Sequence, residues 1–251
     1  MDKYHAVSRG IKNPIFLNAN DSTGLRRLGL WVKESTGMDL SLIYDDYDRD
    51  RFVRGLGTTL LLMLLCVWGS LVIGVLGAWL AEARTALISP VARLAGVLGR
   101  MTPPLLLMYM LVFGLGSRLM ADYGISISAL AVVVWCLSYY TGSSVMNALL
   151  YSAEAKREAD PTYRLAWSNI RDLARSSSGH ITAALINVSK ATMMASAVAV
   201  PELLSAATSI MTDNGNVAVM MNALLLSFLI LIFAAVRLLR LLERRFIGGS
   251  S

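Results

Sequence analysis

The sequence predicts an all-α polytopic membrane protein with five transmembrane helices, and three observations carry that prediction. First, 55% of the 251 residues are hydrophobic and the mean hydropathy is +0.57, more apolar surface than a soluble domain of this length usually buries. Second, the chain contains long uncharged runs: 27 residues separate Arg54 from Glu82, 17 separate Arg100 from Arg118, 31 separate Asp122 from Glu154, and 23 separate Asp213 from Arg237. A helix needs about 20 apolar residues to cross the hydrocarbon core, with about 17 as the lower limit. Third, the basic residues lie between and beside these runs rather than on one polar face, as positive-inside bias requires. The net charge of +6 therefore points to a bilayer and not to nucleic acid.

Taken in order, residues 1–54 form a polar, mixed-charge N-terminal segment with turn formers at Asn13-Pro14 and Asn20-Asp21-Ser22 and a short amphipathic helix expected at Leu25–Lys33. Asp45, Asp46, Asp48 and Asp50 read as a solvated acidic turn, since the glycine and glutamate of a calcium loop are absent. The first span is expected from Leu56 to Ala81, with Gly69, Gly74 and Gly77 as close-packing notches. Because the first apolar run starts only at residue 55, that span itself is expected to direct insertion, without a cleavable signal peptide of usual layout. Between residues 83 and 101, Ile88, Val91, Leu94, Val97 and Leu98 alternate with Arg84, Arg93 and Arg100 at helical spacing, which suggests an interfacial elbow. Thr102-Pro103-Pro104 opens the second span, to about Leu119, and the third covers about Ile125 to Tyr151.

The polar connection that follows has Tyr163, Ala166, Trp167, Ile170 and Leu173 at three- and four-residue spacing, the pattern of a short helix with one apolar face. Asp160 suits its N-cap and Pro161 its first turn. The fourth span, about Gly179 to Val200, holds Asn187, Ser189, Lys190, Thr192 and Ser196; Pro201-Glu202 marks its end and an outer turn. The fifth runs from Val217 to about Leu239 into Arg237, Arg240, Arg244 and Arg245, and residues 247–251 read as an appended tail. Basic residues crowd the 1–2 and 3–4 connections and the C-terminus, so these are expected in the cytoplasm with the N-terminus outside, against a vote from Arg49, Arg51 and Arg54. Cys66 and Cys136 fall inside uncharged runs and read as small apolar residues rather than a disulfide pair.

Several stretches resemble the permease subunits of ABC-type importers, in the branch that handles polar amino acids. Lys190-Ala191-Thr192, Ala195-Ser196 and Val200-Pro201-Glu202-Leu203 stand in the order and spacing of that family's Lys-Asp-Thr-Ser-Leu-Ala-Ser to Val-Pro-Glu-Leu signature. Gly55-Leu56-Gly57-Thr58-Thr59-Leu60 resembles the opening of its first span, Arg100-Met101-Thr102-Pro103 the entry to its second, and Leu239-Arg240-Leu241-Leu242-Glu243-Arg244-Arg245 the end of its last. The likeness covers about residues 38–246. It thins in the middle, where Asp160 stands at the family's glycine and Asp172-Leu173 at its Leu-Pro, and where the Glu and Arg before that segment are replaced by Tyr139-Tyr140-Thr141-Gly142.

The resemblance implies a type I ABC importer transmembrane domain over residues 55–246, in a multi-pass chain of the bacterial cytoplasmic (inner) membrane. It implies a cytoplasmic coupling helix at about 154–172, with Glu154, Tyr163, Trp167 and Ile170 engaging a separate ABC ATPase dimer. The implied further partners are a second permease subunit, with an unlike subunit favoured over a homodimer, and a periplasmic or extracellular solute-binding protein. The chain has no Gly-x-x-x-x-Gly-Lys loop, so no cofactor is expected on it and ATP-Mg belongs to the partner ATPase. No catalytic residues and no metal site are expected, since the spans hold no paired carboxylates, metal cluster or nucleophile-base set. Lys190, with Asn187, Thr192 and Ser196, forms a candidate polar stripe along the substrate path, because a charge at a helix centre costs about 2.5–3.5 kcal/mol on insertion scales and usually faces a cavity or a partner. Two other readings stay open: Lys190 snorkels to a boundary or fixes packing, and residues 154–172 lie on lipid instead of docking. The alternative at the level of function is a non-transporting scaffold or regulatory subunit derived from such permeases.

Overall fold

The computed structural model describes residues 31–35 and 41–246. Residues 1–30, 36–40 and 247–251, which include the greater part of the helix expected at Leu25–Lys33 and the terminal tail, lie outside the described residues. Eight helices follow a short helical turn at Ser41–Tyr44: α1 Asp46–Ala81, α2 Ile88–Met101, α3 Pro104–Tyr123, α4 Ala129–Ala159, α5 Ile170–Ser176, α6 Ser178–Val198, α7 Leu203–Asn214 and α8 Val217–Phe246. Of these, α1, α3, α4, α6 and α8 are long and apolar enough to span a bilayer. That gives the five spans expected, and the protein is a multi-pass membrane protein.

The described residues divide into two compact units, those up to Thr58 with Pro201–Ser227, and Thr59–Val200 with those from Phe228 onward. The second unit is organised around α4, whose apolar window is 56% buried against 6% for α3. Glycine notches let α1 approach it. A Cβ on Gly69 would fall 2.3 Å from Ser138 Oγ, one on Gly74 would fall 2.5 Å from Val145, and one on Gly77 would fall 2.9 Å from Met146 Sδ. The three notches expected from sequence thus all face α4. Toward one end, Leu62, Cys66, Met108, Val133, Leu137 and Val188 pack together; toward the other, Ala78, Leu149, Ala153, Leu173, Ile181 and Leu185 do. Cys66 and Cys136 are both free and buried in the first of these clusters.

Helix α2 packs along α4 through its small residues, while Ile88, Val91, Leu94, Val97 and Leu98, the apolar residues of the expected elbow, stay exposed. Gly96 abuts Met146, Gly99 abuts Ser143 and Tyr139, and the Tyr139 hydroxyl donates to Ala95 O at 2.7 Å. Small residues on α2 permit this close approach. In α3, residues Met110–Gly116 widen to a π-helical turn. The last two turns of α6, Thr192–Val198, tighten to a 3-10 helix that ends where Ala199 adopts φ 61°.

The first unit refines three expectations. Helix α1 begins ten residues before the predicted Leu56, because Asp45 Oδ1 accepts from Tyr47 N at 3.0 Å and Asp46 and Asp48 complement the helix dipole in the first turn. The acidic turn is solvated only in half: Asp46 and Asp50 are exposed, whereas Asp45 and Asp48 are buried, and Asn214 Nδ2 donates to Asp48 Oδ2 at 2.5 Å. The stretch after Pro201-Glu202 is not merely an outer turn either. Glu202, fully buried, caps α7 by accepting from Ser205 N at 3.0 Å. A Cβ on Gly55 would meet Ala206 Cβ at 2.8 Å, so only glycine lets α7 sit against α1.

Candidate functional site

The expected rod at 154–172 is divided in three. Helix α4 continues through Glu154 to Ala159, residues 160–169 are not helical, and α5 resumes at Ile170. Side-chain competition for backbone groups explains the break. Asp160, instead of capping a new helix, closes an Asx turn: its Oδ1 accepts from Thr162 N at 3.0 Å and from Thr162 Oγ1 at 2.7 Å. The two bonds, led by the hydroxyl, hold the Asp160 carboxyl below the usual carboxylate range. Asn169 does the same at the far end, accepting from Ala166 N at 2.8 Å and donating to Arg164 O at 2.6 Å.

The four residues expected to engage an ATPase separate by direction. Tyr163 and Ile170 turn inward against the cluster of Ala78, Leu149 and Leu173, and Lys156 Nζ lies 5.5 Å from the Tyr163 ring centroid. Glu154 stands on the side of α4, 3.8 Å from Arg93. Trp167 is 57% exposed, its ring centroid 6.3 Å from that of Trp79. The outward apolar face therefore reduces to the Trp167–Trp79 pair rather than Tyr163 with Trp167.

Charged side chains brace this segment, and sequence reading did not identify them as a group. Glu82, with a side chain only 13% exposed, accepts from Arg157 Nη2 at 2.6 Å and from Arg93 Nη2 at 3.1 Å. Arg157 Nε also donates to Tyr163 O at 3.2 Å, and Lys156 pairs with Asp172. One acid at the end of α1 thus ties α1, α2 and α4 to the connecting segment. The signal was present in the sequence: Glu82 is the acid that ends the first uncharged run, and arginines follow in both connections expected on that side.

The predicted substrate stripe splits as well. Asn187 and Lys190 lie together on the exposed face of α6, and among the described residues no carboxylate pairs with Lys190. Thr192 is fully buried, donating to Ser189 O at 2.9 Å, and Ser196 is half-buried, donating to Met193 O at 2.9 Å. A separation of two residues is about 200° around a helix, so Thr192 points away from Lys190. A second polar surface was not foreseen. A furrow of about 180 Å³ between α2 and α4 is lined by Arg93 and Arg100 on one wall and by Asn147, Tyr151 and Glu154 on the other.

No family model matches the sequence, and no curated protein matches it. A solved structure does: a chain from the crystal structure of an amino acid ABC transporter with histidines superposes with a TM-score of 0.64 at 18% identity, over 78% of this chain and 94% of that one. The protein therefore has the fold of a chain in an amino acid ABC transporter.

Proposed function

We propose that this chain is the membrane-spanning permease subunit of an ATP-driven importer for polar amino acids or related small solutes, seated in the cytoplasmic membrane of a bacterium. The observation that carries the reading is the extent of the fold likeness, which takes in 94% of the matched chain. The sequence motif from Lys190 to Leu203 supports it independently. On this reading the chain pairs with a second permease subunit, an unlike one being favoured, and receives solute from a binding protein. ATP-Mg is bound and hydrolysed by a separate ATPase dimer, and this chain performs no catalysis.

The braced segment suits coupling. Trp167 and Trp79 offer an exposed aromatic anchor of the sort that fills a pocket on a partner. Glu82, Arg157 and Arg93 transmit a push on that anchor into three helices at once. The break at 160–169 favours a second reading, a scaffold that no longer couples. Co-expression with a candidate ATPase and a candidate solute-binding protein separates the two. The importer reading expects ATP hydrolysis stimulated by the binding protein in proteoliposomes, and Trp167→Ala lowering ATPase co-purification at least tenfold. ATP hydrolysis that the binding protein does not stimulate, with ATPase co-purification indifferent to Trp167→Ala, would favour the scaffold.

A further inference from the structure

The furrow between α2 and α4 lies apart from the Lys190 face and meets the braced segment only at its polar end, at Arg93 and Glu154. Its two walls repeat at i, i+4, i+7: Arg93, Val97 and Arg100 on α2, and Asn147, Tyr151 and Glu154 on α4. Glu154 and Arg93 join Glu82 at the polar end of the unit. Arg100 follows Gly99, which packs on Ser143, and eleven residues of α4 between Ser143 and Glu154 rise about 16 Å. That distance is about half of a 30 Å hydrocarbon core. Arg100 is exposed there, and its Nε donates to Gly96 O at 3.4 Å, so the side chain turns back along the furrow toward Arg93. Among the described residues no carboxylate pairs with Arg100, whereas Arg93 is shared between Glu82 and Glu154. With Glu154 taken at the membrane boundary, the unmatched charge of the furrow is thus a guanidinium about halfway through the hydrocarbon core.

The other face of α2 presents Val91, Leu94, Leu98 and Met101, all exposed and apolar. Acyl chains suit that face. They do not suit Arg100 and Asn147, because polar and ionised groups at this depth face water-filled cavities or partners. We propose that the furrow is a water-filled stretch of the solute path and that Arg100, assisted by the Asn147 amide, holds the carboxylate of the passing solute. Zwitterionic and anionic cargo is thereby admitted over cations that lack a carboxylate. This rests on the importer reading and adds the chemical group recognised on the way through.

The test uses the full complex in inside-out vesicles. Asn147→Cys, with Val97→Cys as a second furrow position, is reacted with an anionic sulfonatoethyl and a cationic trimethylammonioethyl thiosulfonate; Leu94→Cys is the lipid-side control. Both furrow cysteines are expected to react at least tenfold faster than the control and to prefer the anionic reagent. Adding Arg100→Gln is expected to lower the anion-to-cation rate ratio roughly tenfold, since one unit charge acts in opposite directions on the two reagents, and Arg100→Lys is expected to restore it. A mixture of the common amino acids should slow labelling, and the same amino acids as carboxamides should not. Labelling no faster than Leu94→Cys, a ratio indifferent to Arg100, or equal protection by acids and amides would each overturn the proposal. None of these readouts requires ATP turnover. Absence of stimulated ATP hydrolysis would instead count against the importer reading.

Discussion

Deleting the carboxylate of Glu82 should uncouple the connecting segment from α1 and lower stability by an amount the geometry bounds. Glu82 is 13% exposed at its side chain, Arg157 33% and Arg93 45%. Two unit charges 4 Å apart attract by about 4 kcal/mol at an effective dielectric of about 20. Desolvation of the nearly buried carboxylate offsets much of that. Exposed pairs contribute about 0–1 kcal/mol, and breaking a buried one costs about 3–5 kcal/mol. The Glu82–Arg157 pair, with one buried and one half-open partner, falls between, and a coupling energy of about 1.5 kcal/mol is expected, roughly tenfold in an equilibrium constant. A double-mutant cycle of Glu82→Ala and Arg157→Ala measures it, with unfolding in mixed micelles followed by tryptophan fluorescence, to which Trp79 and Trp167 beside the cluster contribute. Effects that add to within about 0.3 kcal/mol would refute the account, because independent sites behave that way.

Gly99→Ala should push α2 off α4 and destabilise by about 1–3 kcal/mol, since its Cβ would lie 2.1 Å from Ser143 Oγ, while Gly57→Ala, with nothing within 4 Å, should be neutral or slightly stabilising in the same unfolding assay. Glu202→Ala should cost about 1–3 kcal/mol by leaving the start of α7 without its cap in a buried setting; a change under about 0.5 kcal/mol would count against that role. Asp160→Ala should speed limited proteolysis within 160–169, whereas Asp160→Asn, which keeps an acceptor for both Thr162 donors, should not. Because the Asp160 carboxyl is depressed in the folded chain, the stability it adds is complete above its unfolded value near 3.8 and is lost as the pH falls through the lower folded value. Protease sensitivity of this loop should accordingly rise only in that acid range, and a rise near neutral pH would contradict the turn.

What the sequence determined by itself was whatever depends on the average composition of a long segment. The five spans were legible because about 20 consecutive apolar residues have no other stable solution in a bilayer, and Gly69, Gly74 and Gly77 were legible as notches because small residues at helical spacing serve close packing. Misread features turned on which neighbour a side chain meets. Asp160 and Pro161 are as good a helix start as a turn until Thr162 supplies the competing hydrogen bonds. Asp48 reads as solvated until Asn214, 166 residues away, reaches it. Thr192 joined Lys190 on paper, whereas the winding of α6 sends it into the core. Only the tertiary structure decided that Glu82, Arg93 and Arg157 form one tie and that Arg100 lines a furrow, because ion pairing and cavity shape arise from helices brought together across long separations, and periodicity along one helix carries no record of what stands opposite it.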